Sequence, residues 1–195
     1  MIRGEPRRRA TLATLVLAGI CSGCTAPPGS DGSPPAPEAE RAQASAEPSL
    51  ADWLAYSDPA RGLSFRYPAD LGTSYIRAVD WPPAAQLLDQ PFSCTEAGVE
   101  TARAGKTERA QLGARSYCVT RESEGAAGSI YTSYAYAFES RGRLVILTFT
   151  TRSVQCGNYD EPRRGECERE RAAFEIDPIV DRIAHTLEIV PAVPG

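Results

Sequence analysis

The sequence predicts an α+β fold, an antiparallel β-sheet accompanied by helices and braced by disulfide bonds, and three observations carry that expectation. Residues 63–67 and 130–138 alternate apolar and polar side chains with the period of a half-buried strand, while 143–151 is rich in β-branched residues and apolar on both faces through its middle. Residues 177–187 repeat apolar side chains at helical spacing. Cys94, Cys118, Cys156 and Cys167 form an even set in a chain whose first residues read as an export signal.

The chain opens on a basic stretch, Arg7-Arg8-Arg9, followed by an uncharged run from Ala10 to Ile20 and the small pair Ser22-Gly23 before Cys24. That run is shorter than the about 20 apolar residues a membrane span needs, so it reads as a signal peptide over residues 1–23. It resembles the bacterial lipoprotein signal, an aliphatic residue, two small residues and a modified cysteine. Cys21 occupies the aliphatic slot here, with Ile20 one place earlier. The resemblance implies that Cys24 carries lipid and that the membrane is a partner through it; ordinary secretion with cleavage after Ala26 is the alternative. The implied address is the cell envelope: the outer membrane of a Gram-negative cell, otherwise the outer face of the cytoplasmic membrane. Residues 24–49 are rich in Pro, Ala, Ser, Gly and Glu and cannot bury enough surface to offset the entropy of ordering, so they read as a disordered tether.

Residues 50–192 have the length and the apolar content of one globular domain. Ser49 is a plausible N-cap for a short turn holding Leu50, Trp53 and Leu54. Asp58-Pro59-Ala60-Arg61-Gly62 is a turn into the strand Leu63-Ser64-Phe65-Arg66-Tyr67, which Pro68 ends. A second strand is expected within 74–81, a helix over 84–89, and a helix or polar excursion over 97–109 broken at Gly98 and Gly105. Residues 110–114 and 115–121 read as strands joined near Gly113. In 130–138 one face carries Ile130, Thr132, Tyr134, Tyr136 and Phe138, and a turn containing Gly142 leads to the central strand 143–151. The closing helix takes Asp177 as N-cap and Pro178 as first helical residue. Ile179, Val180, Ile183 and Leu187 share its apolar face, so His185, the single histidine, points to water beside Asp181.

Without residues 1–23 the balance is 17 basic against 24 acidic residues, net −7, which argues against nucleic acid as a partner. In an oxidising envelope the four cysteines suggest two disulfides. Of three connectivities, Cys94 with Cys118 and Cys156 with Cys167 is preferred, because each bridge closes a single excursion. A zinc site is disfavoured, since no two of these cysteines have the close spacing of a metal knuckle.

The octapeptide Arg61-Gly62-Leu63-Ser64-Phe65-Arg66-Tyr67-Pro68 resembles the opening strand of PsbP-like domains. Pro178-Ile179-Val180-Asp181-Arg182-Ile183-Ala184-His185-Thr186-Leu187 is similar to the closing helix of bacterial lipoproteins in that group, and Cys156-Gly157-Asn158-Tyr159 through Cys167 is similar to a loop of uncharacterised members. The resemblance implies an antiparallel sheet with helices on both faces, an α/β/α sandwich. It implies no transferable active site.

Asp181 and His185 at i, i+4 could join Ser129 or Ser133 in a hydrolytic triad, but there is no Gly-x-Ser-x-Gly elbow and an exposed ion pair explains the spacing. Asp160, Glu161, Glu166, Glu168 and Glu170 could suggest calcium; interleaved arginines and the absence of a calcium-loop order favour a solvated loop closed by a disulfide. Tyr117, Tyr131, Tyr134, Tyr136 and Phe138 read first as sheet packing and second as a ligand groove. No Gly-rich phosphate loop, Cys-His pair or dinucleotide fingerprint occurs, so no cofactor and no metal are expected. The expected function is a non-catalytic binding or assembly domain with an envelope protein as partner. Its alternatives are a hydrolase using Asp181 and His185, and a small-molecule carrier with a cavity between sheet and helix.

Overall fold

The computed structural model describes residues 49–99 and 105–189. The signal peptide, Cys24 and nearly all of the tether lie outside the described residues. Ser49 does cap a 3-10 turn over Leu50–Asp52, its hydroxyl accepting the Ala51 amide at 3.2 Å. The chain then pairs β1 (Leu54–Asp58) with β2 (Leu63–Tyr67) in an antiparallel hairpin, and β10 (Glu188–Ile189) closes a three-stranded sheet on the other edge of β2. Leu63 and Phe65 are buried, as their alternation requires.

The larger sheet is antiparallel throughout and carries β3 (Ile76–Ala78), β4 (Ala84–Leu88), β5 (Ala97–Gly98), β6 (Lys106–Leu112), β7 (Arg115–Ala126), β8 (Ser129–Ser140) and β9 (Arg143–Val154). Its order is β3-β9-β8-β7-β6-β5, with β4 also pairing β9. The turn between β8 and β9 places Arg141 and Gly142 at φ of 52° and 76°, the two-residue hairpin geometry that matches strand twist. β9 is central, as its two-faced apolar run predicts.

Residues 84–88 form a strand where the sequence predicts a helix. Ala, Gln and Leu favour helix in isolation, but pairing with β9 sets Ala85 opposite Leu147 and Leu87 opposite Val145 on the core face. The expected excursion over 97–109 is instead the short β5 and the start of β6, while the second-strand region narrows to Ile76–Ala78. A helix, α1 (Arg163–Ala173), forms where a solvated loop is expected.

One face of the sheet, carrying Tyr117, Val119, Tyr136, Phe138, Val145, Leu147 and Phe149, shares a single buried cluster with Phe65 and Leu63 of the small sheet and with Val180, Ile183 and Ala184 of α2 (Asp177–His185). The three-layer α/β/α arrangement does not form among the described residues. α2 lies on the core face, and α1 is tied to the end of β9 by Cys156–Cys167 and to the segment before β3 by Glu170, whose carboxylate accepts the Ser74 and Tyr75 amides at 2.9 and 2.6 Å. The opposite face carries Leu144 and Ile146 of β9 beside Thr107, Thr120, Ser133, Ala135, Thr148 and Thr150. The connection from β4 to β5 runs between opposite sheet edges across that face and is pinned there by Cys94–Cys118. Both disulfides therefore take the local pairing.

Candidate functional site

The side chains with chemical potential gather where α2 meets the sheet. Asp177 and Asp181 stand one helical turn apart, a spacing of about 5–6 Å, and meet two tyrosines on neighbouring strands whose ring centroids are 6.1 Å apart. Tyr117 donates its hydroxyl to Asp181 Oδ1 at 2.6 Å, and Tyr136 donates to Asp177 Oδ1. Arg121 Nη2 also reaches both Asp177 oxygens, at 3.0 and 3.2 Å, while its Nη1 pairs with Glu108. Glu108 is held below the usual carboxylate range by Lys106 and then by Arg121. Burial pushes Tyr117 and Tyr136 well above the ordinary phenol value, and hydrogen bonding to the aspartates adds to it. These phenols stay neutral donors at physiological pH, so the network latches the helix to the sheet.

Asp177 is thus the first residue of α2 with its carboxylate turned to the sheet. Ile176 holds the N-cap position, and no side chain caps the helix there. Sequence reasoning missed Arg121 and the Tyr136–Asp177 contact, since nothing local marks an N-terminal aspartate as a partner of strands 41 and 56 residues away.

His185 is exposed, as expected, and its Nδ1 lies 2.7 Å from the Asp181 carbonyl oxygen and 3.5 Å from Asp181 Oδ2. The two proposed nucleophiles are elsewhere. Ser129 is buried and accepts Arg152 Nε at 3.0 Å, nine residues along β8 from the Phe138 that pairs with Tyr117, which is about 30 Å of strand. Ser133 faces the opposite side of the sheet, 3.3 Å from the Thr150 hydroxyl. His185 lines two open grooves: one of about 500 Å3 that holds Ser116, whose hydroxyl donates to Gln111 at 2.6 Å, and one of about 610 Å3 that holds Ser57 and Ser64. No triad is assembled from the predicted residues.

The aromatic set divides by face. Tyr117, Tyr134, Tyr136 and Phe138 pack in or against the core, and Tyr131 points to the other side. The space between sheet and α2, where a carrier cavity is expected, is filled by Tyr117, Tyr136, Val180 and Ile183, each fully buried. Of the acidic loop residues, Glu166 and Glu170 are occupied by Tyr75 and Ser74. The four cysteines are consumed in disulfides.

A mainly apolar groove of about 470 Å3 opens beside the N-terminal half of α2, lined by Trp53, Pro68, Leu71, Pro178 and Ile179, with Asp52, Asp70 and Arg182 among its polar lining groups. Arg182 stacks its guanidinium 5.0 Å from the Trp53 ring centroid. The Trp53 indole N–H is buried without an acceptor among the described residues.

No family model matches the chain. No curated protein matches it. Among solved structures it is similar to a Bacteroides thetaiotaomicron VPI-5482 protein at 10% identity and a TM-score of 0.35, over 72% of this chain. The matched region covers 49% of that protein's chain, so the two are alike over about half of its length.

Proposed function

We propose that the chain is an exported envelope lipoprotein, anchored through Cys24, whose domain acts by binding an envelope protein and not by catalysis. The observation that carries this reading is the closure of the polar network. Asp177 and Asp181 each accept a buried tyrosine hydroxyl, and the one histidine stands outside the core with its Nδ1 against the Asp181 carbonyl oxygen, away from Ser129 and Ser133. A general base needs a lone pair directed at substrate, and here the carboxylates are turned to tyrosines. Two disulfides fit an oxidising compartment, in line with export. The resemblance to PsbP-like lipoproteins points the same way and adds assembly factor as the kind of role.

Mass spectrometry of the mature protein from a bacterial host tests the anchor: a diacyl or triacyl group on Cys24 is expected, and Cys24→Ala should move the protein out of the membrane fraction. A mature N-terminus downstream of Cys24 would sink the lipoprotein reading. For the binding role, photo-crosslinking in intact cells should trap the same envelope protein from probes on the folded domain, and His185→Ala should leave that crosslink unchanged.

A further inference from the structure

We propose that the sheet face turned away from the core carries a binding groove for a glycan strand, a neutral or amino-bearing oligosaccharide. The strand register builds it. Ala84, Thr148, Ala135, Thr120, Thr107 and Ala97 stand opposite one another in a single row across β4, β9, β8, β7, β6 and β5. No side chain in that row is longer than threonine, over five inter-strand steps of about 4.8 Å, or about 24 Å in all. One row along, Thr150 and Ser133 are short as well, with Glu122 beside them. Larger groups flank these two rows. Arg152, Tyr131 and Glu124 form the next row on one side, and on the other Cys118 carries the bridge that fixes the β4–β5 connection over the face. Water alone does not call for such a trench, since long charged side chains suit a solvated face equally well.

The polar groups of this groove, about 430 Å3 in volume, select the ligand. Asp80 lines it at the β4 end and Glu122 at the β7 end, and neither carboxylate has a cation or a hydrogen-bond donor among the described residues. No basic side chain lines it, so an anionic ligand is repelled. The floor is made of hydroxyls and methyls. Thr107 and Thr120 share one hydroxyl proton at 2.8 Å, and Ser133 and Thr150 share another at 3.3 Å. Each pair keeps its second proton and several lone pairs for a ligand. The Thr148 hydroxyl has no partner among the described residues. Sugar hydroxyls meet this set on both counts: they donate to the two carboxylates, and they donate to or accept from the threonines. A partner helix would need an apolar surface to cover, and an extended peptide a free strand edge, and the middle of this face offers neither. The groove is on the opposite side of the sheet from α2, so it stands whether or not Cys24 carries lipid and whichever protein the domain binds.

The test applies the full chain, with both disulfides formed, to a microarray of neutral, amino-bearing and acidic oligosaccharides, and then titrates a retained sugar into the 15N-labelled protein. Retention of neutral or amino-bearing sugars and not of acidic ones is expected, with saturable amide shifts at Thr120, Ser133, Ala135 and Thr148. Glu122→Gln, at an exposed position, should weaken binding roughly tenfold by removing a charged acceptor. Glu168→Gln, which removes the same charge from α1, should leave it unchanged. Ser133→Arg should fill the groove and abolish binding, with thermal unfolding read alongside to show that the domain is intact. Retention of no sugar, retention confined to acidic sugars, shifts that cluster away from the groove, or affinity unchanged by Glu122→Gln would overturn the proposal. So would an oligolysine peptide that shifts the same amides when no sugar does, since the groove would then belong to a basic protein segment.

Discussion

Tyr136 shows how one residue can be apolar packing and polar latch at once. Its ring is fully buried against Phe149 and Tyr117, and its hydroxyl is spent on Asp177. Tyr136→Phe removes a donor and leaves Arg121 to serve Asp177, so it should cost about 1 kcal/mol, whereas Asp177→Ala strands the phenol and leaves Arg121 with Glu108 alone, and should cost about 2–3 kcal/mol. Urea unfolding of the two variants and their double checks this, with a sub-additive double as the mark of a shared network. The pH dependence follows from the same contacts. Tyr117 and Tyr136 have folded pKa values raised above the unfolded value of about 10, chiefly by burial. The unfolded chain therefore releases these protons first, and their contribution, complete below about pH 10, is lost as pH rises beyond it. Ultraviolet titration should show that Tyr117 and Tyr136 ionise only on unfolding, which Tyr117→Phe and Tyr136→Phe assign; their titration in the folded protein near pH 10 would refute the latch. On α2 itself, His185→Ala should change stability by no more than about 0.5 kcal/mol. Ile183→Ala, at a fully buried position, should cost about 2–5 kcal/mol, an ordering that thermal unfolding can read directly.

At the scale of elements, polar residues do work usually assigned to apolar stripes. α1 has only Cys167 buried and is fastened by its disulfide, by Glu170 on two backbone amides and by Tyr75 on Glu166, none of which leaves a helical hydrophobic period in the sequence. The β5–β6 junction depends on glycine for a different reason. Gly98 has φ of 77°, and a Cβ there would stand 2.1 Å from the Gly105 carbonyl oxygen. Gly98→Ala must therefore move the paired backbone as well as adopt a left-handed conformation, and should cost more than about 1 kcal/mol. A lowered urea midpoint at unchanged slope is the expected readout, and an unchanged midpoint would mean that the two strands do not approach as described.

For the whole molecule the disulfides are the main covalent restraint on a domain made largely of long-range strand pairs. Cys94–Cys118 and Cys156–Cys167 close loops of 24 and 11 residues' separation, and the loop-entropy relation assigns them roughly 3.5 and 3 kcal/mol. Their sum is comparable to the 5–15 kcal/mol that typically holds a domain together. Full reduction should therefore abolish the cooperative thermal transition at 37 °C or lower its midpoint by well over 10 °C. Retention of the oxidised midpoint would show that the bridges are incidental.

Much of this architecture was legible along the chain. Alternation in 63–67 and 130–138, the two-faced run of β9, the buried stripe of α2 and the even cysteine set are local or periodic facts, and a period fixes which face of an element is dry whatever it packs against. The solvent-facing position of His185 followed from the same period. Tertiary structure alone decided three things. Residues 84–88 became a strand because β9 offered a free edge, outweighing a helical preference of a few tenths of a kcal/mol per residue. Among the described residues no helix covers the second face, which the Cys94–Cys118 connection crosses. The aspartates of α2 met Tyr117, Arg121 and Tyr136 only when the helix was laid across strands more than 40 residues away. Hydrogen bonds between distant segments leave no period in a sequence, since they are set by where two elements come to rest and not by the order of residues within either.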